Sequence, residues 1–204
     1  MLRWTLIAAF AVLALLAASQ LVIPPLVEHR LEGRLTDGGG SADVSVSAFP
    51  AARLLFGDGE RISVSGSGLD LPIEEPGGSM FDKLDGFNRV DVSLRDFHAG
   101  PFSVSSFELT RDGGSAPYRL TSRSDTTPAQ IAEYGADRLG VPGAPLLGLV
   151  TQNALGDRPI PVALDMDLES EDGRIVVVSG GGTVNGYPTG PLAELITSAI
   201  VVRL

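Results

Sequence analysis

Residues 89–110 read RVDVSLRDFHAGPFSVSSFELT. Val90, Val92 and Leu94 alternate with Asp91, Ser93 and Arg95, and Phe102 and Val104 lead into Phe107 and Leu109. Period two is the spacing of a β-strand with one wet face, because successive side chains point to opposite sides of the sheet. The alternation slips by one residue at Ser105-Ser106, which predicts a bulge. Working outward toward the N-terminus, Ile62 and Val64 oppose Ser63 and Ser65, and Val44, Val46 and Ala48 oppose Asp43, Ser45 and Ser47. In the other direction Tyr118 and Leu120 continue the series, and Val162, Leu164, Met166 and Leu168 oppose Asp165, Asp167 and Glu169. Gly57-Asp58-Gly59, Asp112-Gly113-Gly114 and Asp172-Gly173 suit the turns between such strands. Strands that follow one another through short turns predict an antiparallel sheet.

Helical patterns flank and interrupt the strands. Leu26, Val27, Leu31 and Leu35 recur at helical spacing, with Pro24-Pro25 as a start and Gly38-Gly39-Gly40 as a stop. Thr127-Pro128 followed by Gln130 has the form of a capping box, for a helix that runs to Leu139 before Gly140. Ala144 to Leu155 is a second, Leu-rich helical stretch, and Leu192, Leu195, Ile196, Ala199 and Ile200 mark a third. The fold class is α+β: a single domain, residues 26–204, with an antiparallel curved sheet packed with a few helices. An apolar N-terminal segment, residues 1–25, precedes it.

From Trp4 to Val27 there is no charged residue, and Arg3 stands in front. A buried core helix is a poor reading of a segment with no polar face. Two readings of export remain. As a secretory signal it is cut near Ala17-Ala18-Ser19; as an anchor, Leu2 to Ile23 is long enough to span a bilayer. Arg3 on the short side places the body outside the cytoplasm.

The chain carries 15 basic and 25 acidic residues, a net charge of −10, and Arg3 is the one basic residue of the leader. The body alone is more acidic still, and repels nucleic acid and anionic lipid surfaces. Cysteine is absent, which excludes thiolate metal sites, thiol nucleophiles and disulfides. His29 and His98 are the only histidines, and neither sits in a nucleophile motif. Asp165, Asp167, Glu169 and Glu171 line one strand face, but carboxylates two residues apart on a strand stand about 6.5–7 Å apart, too far to share an ion. Ser179-Gly180-Gly181-Gly182-Thr183 lacks the Lys and helix of a phosphate loop and reads as a bulge or turn. Arg53, Arg61, Arg89, Arg95, Arg119 and Arg123 lie in or beside strands, where most pair with surface acids and any other suits a head-group phosphate. No catalytic constellation, metal site or cofactor is expected.

Large apolar residues are in surplus for a modest sheet. Phe49, Leu54, Leu55, Phe56, Phe97, Phe102 and Phe107 fall in the sheet region, and Leu146, Leu147, Leu149 and Val150 surround Gly148. They are either core or the lining of an apolar groove, where each acyl CH₂ contributes about 0.8 kcal/mol on burial.

One stretch carries a family likeness. Val44-Ser45-Val46-Ser47-Ala48-Phe49-Pro50, then Leu54-Leu55-Phe56-Gly57, then Glu60 and Ile62-Ser63-Val64, behind an export segment and an amphipathic helix, resembles the LmeA-like phospholipid-binding family of actinobacterial-type envelope proteins. The resemblance extends over residues 24–180, though Ser179–Gly182 and the acidic face at 165–172 do not place on that pattern. A likeness to AsmA-like envelope proteins is weaker, since those are usually much larger. The resemblance implies an exported, non-enzymatic protein whose sheet and helices enclose acyl chains, with a role in lipid transport or in envelope lipid and lipoglycan maintenance. The lipid-facing set is then Phe49, Leu54, Leu55, Phe56, Phe102, Phe107, Leu146, Leu147 and Val150, the partners a phospholipid or other acyl-chain lipid and, through the N-terminal helix, the membrane. The alternative is an envelope scaffold domain that binds a protein partner through a sheet edge.

Overall fold

The computed structural model describes residues 2–71, 84–132, 158–171 and 174–188. Among these residues a long helix, α1 (Leu2–Thr36), leads into nine strands of one sheet: β1 (Ser41–Ser47), β2 (Gly59–Ser67), β3 (Asp70–Leu71), β4 (Phe87–Ala99), β5 (Phe102–Asp112), β6 (Tyr118–Thr126), β7 (Ile160–Glu171), β8 (Arg174–Val184) and β9 (Tyr187–Pro188). Their spatial order is β1-β2-β4-β5-β6-β7-β8-β9, with β3 paired to the end of β4, and the sheet is curved and unclosed. The domain is single and sheet-dominated.

Every strand phase read from the alternation is the observed one. Val44 and Val46, Ile62 and Val64, Val90, Val92 and Leu94, and Val162 through Leu168 at every second position are all buried on one face. The bulge at Ser105-Ser106 is present: Val104 pairs with Ser124 and Ser106 with Arg123, so Ser105 is the extra residue. It faces a second irregularity, since Asp96 lies at φ 48 between Arg95, paired to Ser106, and Phe97, paired to Val104. The Ser179–Thr183 stretch is itself neither bulge nor turn but pairs in continuous register with Asp167–Ala163 as part of β8, and a bulge lies just ahead of it. Asp167 pairs with Ser179 and Leu168 with Val177, so Val178 is the extra residue. Gly180 follows at φ 82, where a Cβ would lie 2.2 Å from the Asp165 carbonyl oxygen, so no larger residue fits there.

Two further expectations are corrected. The sheet is mixed rather than antiparallel: β2 pairs with β4 in parallel, Ile62 opposite Val90 and Val64 opposite Val92, and β3 pairs with β4 in parallel too. A parallel neighbour needs a crossover of about a dozen residues or more, and the chain between β2 and β4 supplies one. Alternation reports which face a side chain occupies and carries no information on strand direction. The second correction is at Pro24-Pro25, which lie inside α1 instead of starting a new helix. Proline already has a helical φ, and its cost is a lost hydrogen bond and a clash one turn back. Ile23, Val27, Leu31 and Leu35 pack on the core from both sides of the pair, which offsets that cost. Ile23 takes the place assigned to Leu26, which is exposed.

Helix α1 lies along the free edge of β1. Glu28 Oε1 accepts from the Val46 amide at 2.9 Å, and Glu32 Oε1 accepts from the Val44 amide at 3.2 Å. Those two N–H groups would otherwise form an open sheet edge. At the start of the helical turn at 128–132 the capping box is as read: the Thr127 amide donates to Gln130 Oε1 at 2.9 Å and the Gln130 amide to Thr127 Oγ1 at 3.2 Å. The continuation to Leu139, the Ala144–Leu155 stretch and the C-terminal helix lie outside the described residues. In α1 the described side chains begin at Ala18, and among described residues no helix is long and apolar enough to cross a membrane.

Candidate functional site

Between β1 and β2 the chain makes a 3-10 turn, Ala51–Phe56. Pro50 precedes it with φ −68 and ψ 150, and Gly57 ends it in the left-handed region at φ 81. In a 3-10 turn residues three apart eclipse one another. Ala51 and Leu54 therefore point the same way, into the core, and both are buried. Leu55 and Phe56 must then point elsewhere, and they stand 67% and 84% exposed. Phe49, just before the turn, is 69% exposed.

The backbone beneath these side chains is pinned at several points. The Arg53 amide donates to the Pro50 carbonyl, the Gly57 amide to Leu54 and the Asp58 amide to Arg53. Glu60 Oε1 accepts from the Phe49 amide at 3.1 Å and lies 3.5 Å from Arg53 Nη1. From α1, with its amide oriented to satisfy both groups, Gln20 donates to the Ala48 carbonyl at 3.2 Å and accepts from the Ala51 amide at 2.9 Å. The result is a fixed turn that holds three large apolar side chains in water.

A second cluster supports the same end of the sheet. Arg111 is 4% exposed on β5, with Nη1 donating to Asp85 Oδ1 at 3.0 Å and Nη2 to the carbonyls of Leu84 at 2.9 Å, Asp85 at 3.2 Å and Phe87. Tyr118 Oη donates to the same Asp85 Oδ1 at 2.7 Å, and its ring lies under the guanidinium carbon at 4.4 Å. Burial, and then the hydrogen bond to Asp85, push the Tyr118 phenol far above its ordinary range. Arg111 thereby grips residues 84–87, and Gly86 in turn accepts from the Gly59 amide at 3.0 Å. A Cβ on Gly86 would lie 2.0 Å from the Gly57 carbonyl oxygen, so the two chains touch backbone to backbone under the turn. The arginines singled out in the sequence did not include Arg111. The signal was present: Phe107, Leu109 and Arg111 share one phase, which puts Arg111 on the inner face.

The nine residues expected to face lipid fall into separate groups. Phe49, Leu55 and Phe56 stand outside the core together, on the turn just described. Leu54 and Phe107 belong to the core, Phe107 fully buried with its ring edge-on to Phe97 at 6.4 Å. Phe102 is partly buried and packed against the core. Leu146, Leu147 and Val150 lie outside the described residues. Among the arginines, Arg53, Arg61, Arg89 and Arg119 pair with Glu60, Asp91, Asp112 and Asp167. Arg95 and Arg123, both flanking Ser106 across β4, β5 and β6, form no ion pair with a described residue. Of the acidic row, Asp167 accepts from Ser179 Oγ at 2.7 Å and from Arg119 Nε at 3.3 Å, and these two bonds, Ser179 first, lower its pKa. His29 and His98 are exposed. Compared with known proteins, the chain matches no family model, no curated protein and no solved structure.

Proposed function

We propose that this is an extracytoplasmic envelope protein that binds phospholipid-like molecules through their acyl chains, without catalysis. The observation that carries this reading is the display of Phe49, Leu55 and Phe56 in water on a turn whose backbone is hydrogen-bonded on both sides. A fold normally hides such side chains, and each one that leaves water contributes about 2 kcal/mol. Three together on a charge-poor turn form a surface for apolar matter. The same residues lie within the stretch that resembles the LmeA-like family, and the uncharged run from Trp4 to Val27 supports an address at or beyond the membrane.

Native mass spectrometry of the gently purified full chain tests it. Extra mass that matches phospholipid, identified after extraction, is the expected result. A clean apo mass together with a co-purifying protein would instead establish the scaffold reading.

A further inference from the structure

We propose that the Phe49–Phe56 turn is a membrane-insertion tip: together with the exposed flank of α1 over Leu21, Val22 and Leu26, it enters the acyl region of one bilayer leaflet and stands the sheet end-on upon it. This rests on the lipid-binding reading above and names the bilayer itself as the lipid engaged by this surface.

The placement comes from how α1 runs beside β1. Glu32 meets Val44, Glu28 meets Val46, and Gln20 meets Ala48 and Ala51, so the helix runs antiparallel to the strand and passes the turn on its way toward the N-terminus. Ten large hydrophobic residues are exposed among the described ones, and six of them are Leu21, Val22, Leu26, Phe49, Leu55 and Phe56. Among the described residues, exposed apolar surface is thus concentrated toward one end of the sheet, continuous in sequence with the uncharged run that begins at Trp4.

Charge selects the occupant. No residue from Trp4 to Val27 is charged, and between Ser47 and Gly57 only Arg53 is, held beside Glu60. The chain as a whole has net charge −10, so a polyanionic surface would repel it, and the tip's one cation, Arg53, is already paired with Glu60. What remains attractive is the acyl layer of a zwitterionic membrane, into which amphipathic surfaces sink about 5–10 Å. The opposite end of the same strands carries Ser67, Asp96 and Asp125, all exposed and polar. From Gly59 to Ser67, β2 separates the two ends by about 26 Å at 3.3 Å per residue.

The test uses the full chain in phosphatidylcholine nanodiscs. Trp4 is the only tryptophan, so Trp4→Phe clears the background, and Phe56→Trp or Phe49→Trp reports on the tip while Ser67→Trp reports on the far end. Bromine-labelled phosphatidylcholine should quench position 56 and blue-shift its emission, and iodide should not reach it. Position 67 should show the reverse. Phe49→Trp gives the same reading from a second site if either substitution perturbs the turn. Equal iodide access at 56 and 67 overturns the inference. So does protection of 56 from iodide without quenching by bromolipid, which would mean that protein, such as a second copy, covers the tip. Phospholipid retained in native mass spectra with position 56 in water would sink the insertion and leave lipid binding standing. Insertion in a chain that purifies without lipid would uphold the insertion and remove the carried ligand.

Discussion

Arg111 is a charge taken almost wholly out of water, and its surroundings are those such a charge requires. One carboxylate, three carbonyls and an aromatic face surround it, although its Nε has no partner. Removing one member of a buried ionic group leaves the others desolvated without compensation. Arg111→Met should therefore cost about 3 kcal/mol in denaturant unfolding, far more than the loss of an exposed pair such as Arg89–Asp112, where about 0–1 kcal/mol is typical. Tyr118 adds a pH signature. Its folded-state pKa is raised, so its contribution is fully present below the ordinary phenol range near pH 10 and fades as the pH climbs through the folded value. The protein should lose stability above about pH 10, and Tyr118→Phe should flatten that part of the stability curve. An alkaline limb unchanged by the substitution would show that another group controls it. Asp167 has the opposite sign: its lowered pKa means that its links to Ser179 and Arg119 weaken only as the pH falls below the usual carboxylate range. All these residues were visible as letters, but only phase counting along β5 marks Arg111 as inward, and no count brings Asp85 beneath it.

At the scale of elements, the docking of α1 on β1 decides how the sheet ends. Glu28 and Glu32 occupy the amides that an open edge would offer to a partner strand. Replacing both by Ala should speed hydrogen exchange at Val44 and Val46 by about tenfold, in line with the net value of a hydrogen bond to a charged group. Gln at the same positions keeps an acceptor and should restore much of the protection, while the amides of β5 stay unchanged. Uniform acceleration across the sheet would mean that the helix matters only for global stability. The helix was legible as a period-3.6 stripe, but the role of Glu28 and Glu32 as acceptors for a strand edge depends on a contact between distant segments. The 3-10 turn is similar. Pro50 and Gly57 mark its ends in the sequence, and the tighter three-residue period is what turns Leu54 inward and Leu55 outward, two neighbours that composition alone treats as equivalent.

For the whole molecule, the acidic balance and the apolar tip together predict how binding responds to salt. Contact made through acyl chains releases no counterions, so affinity for phosphatidylcholine vesicles should change little between low ionic strength and 0.15 M, where the Debye length is about 8 Å. A steep loss with added salt would redirect attention to Arg95 and Arg123, the strand arginines that lack an acidic partner among the described residues. The amino-acid sequence by itself determined the strand phases, the bulge at Ser105-Ser106, the capping box at Thr127 and the acidic charge balance. These are local properties, each fixed by a period, a turn residue or a sum of charges. Tertiary structure alone decided the parallel pairing of β2 with β4, the unbroken course of α1 through two prolines, the clamp around Arg111, and the division of one apolar set into core and exposed tip. Each depends on which distant surface arrives opposite a given residue: burial is a property of the pair in contact, and the chain states only one member of that pair at a time.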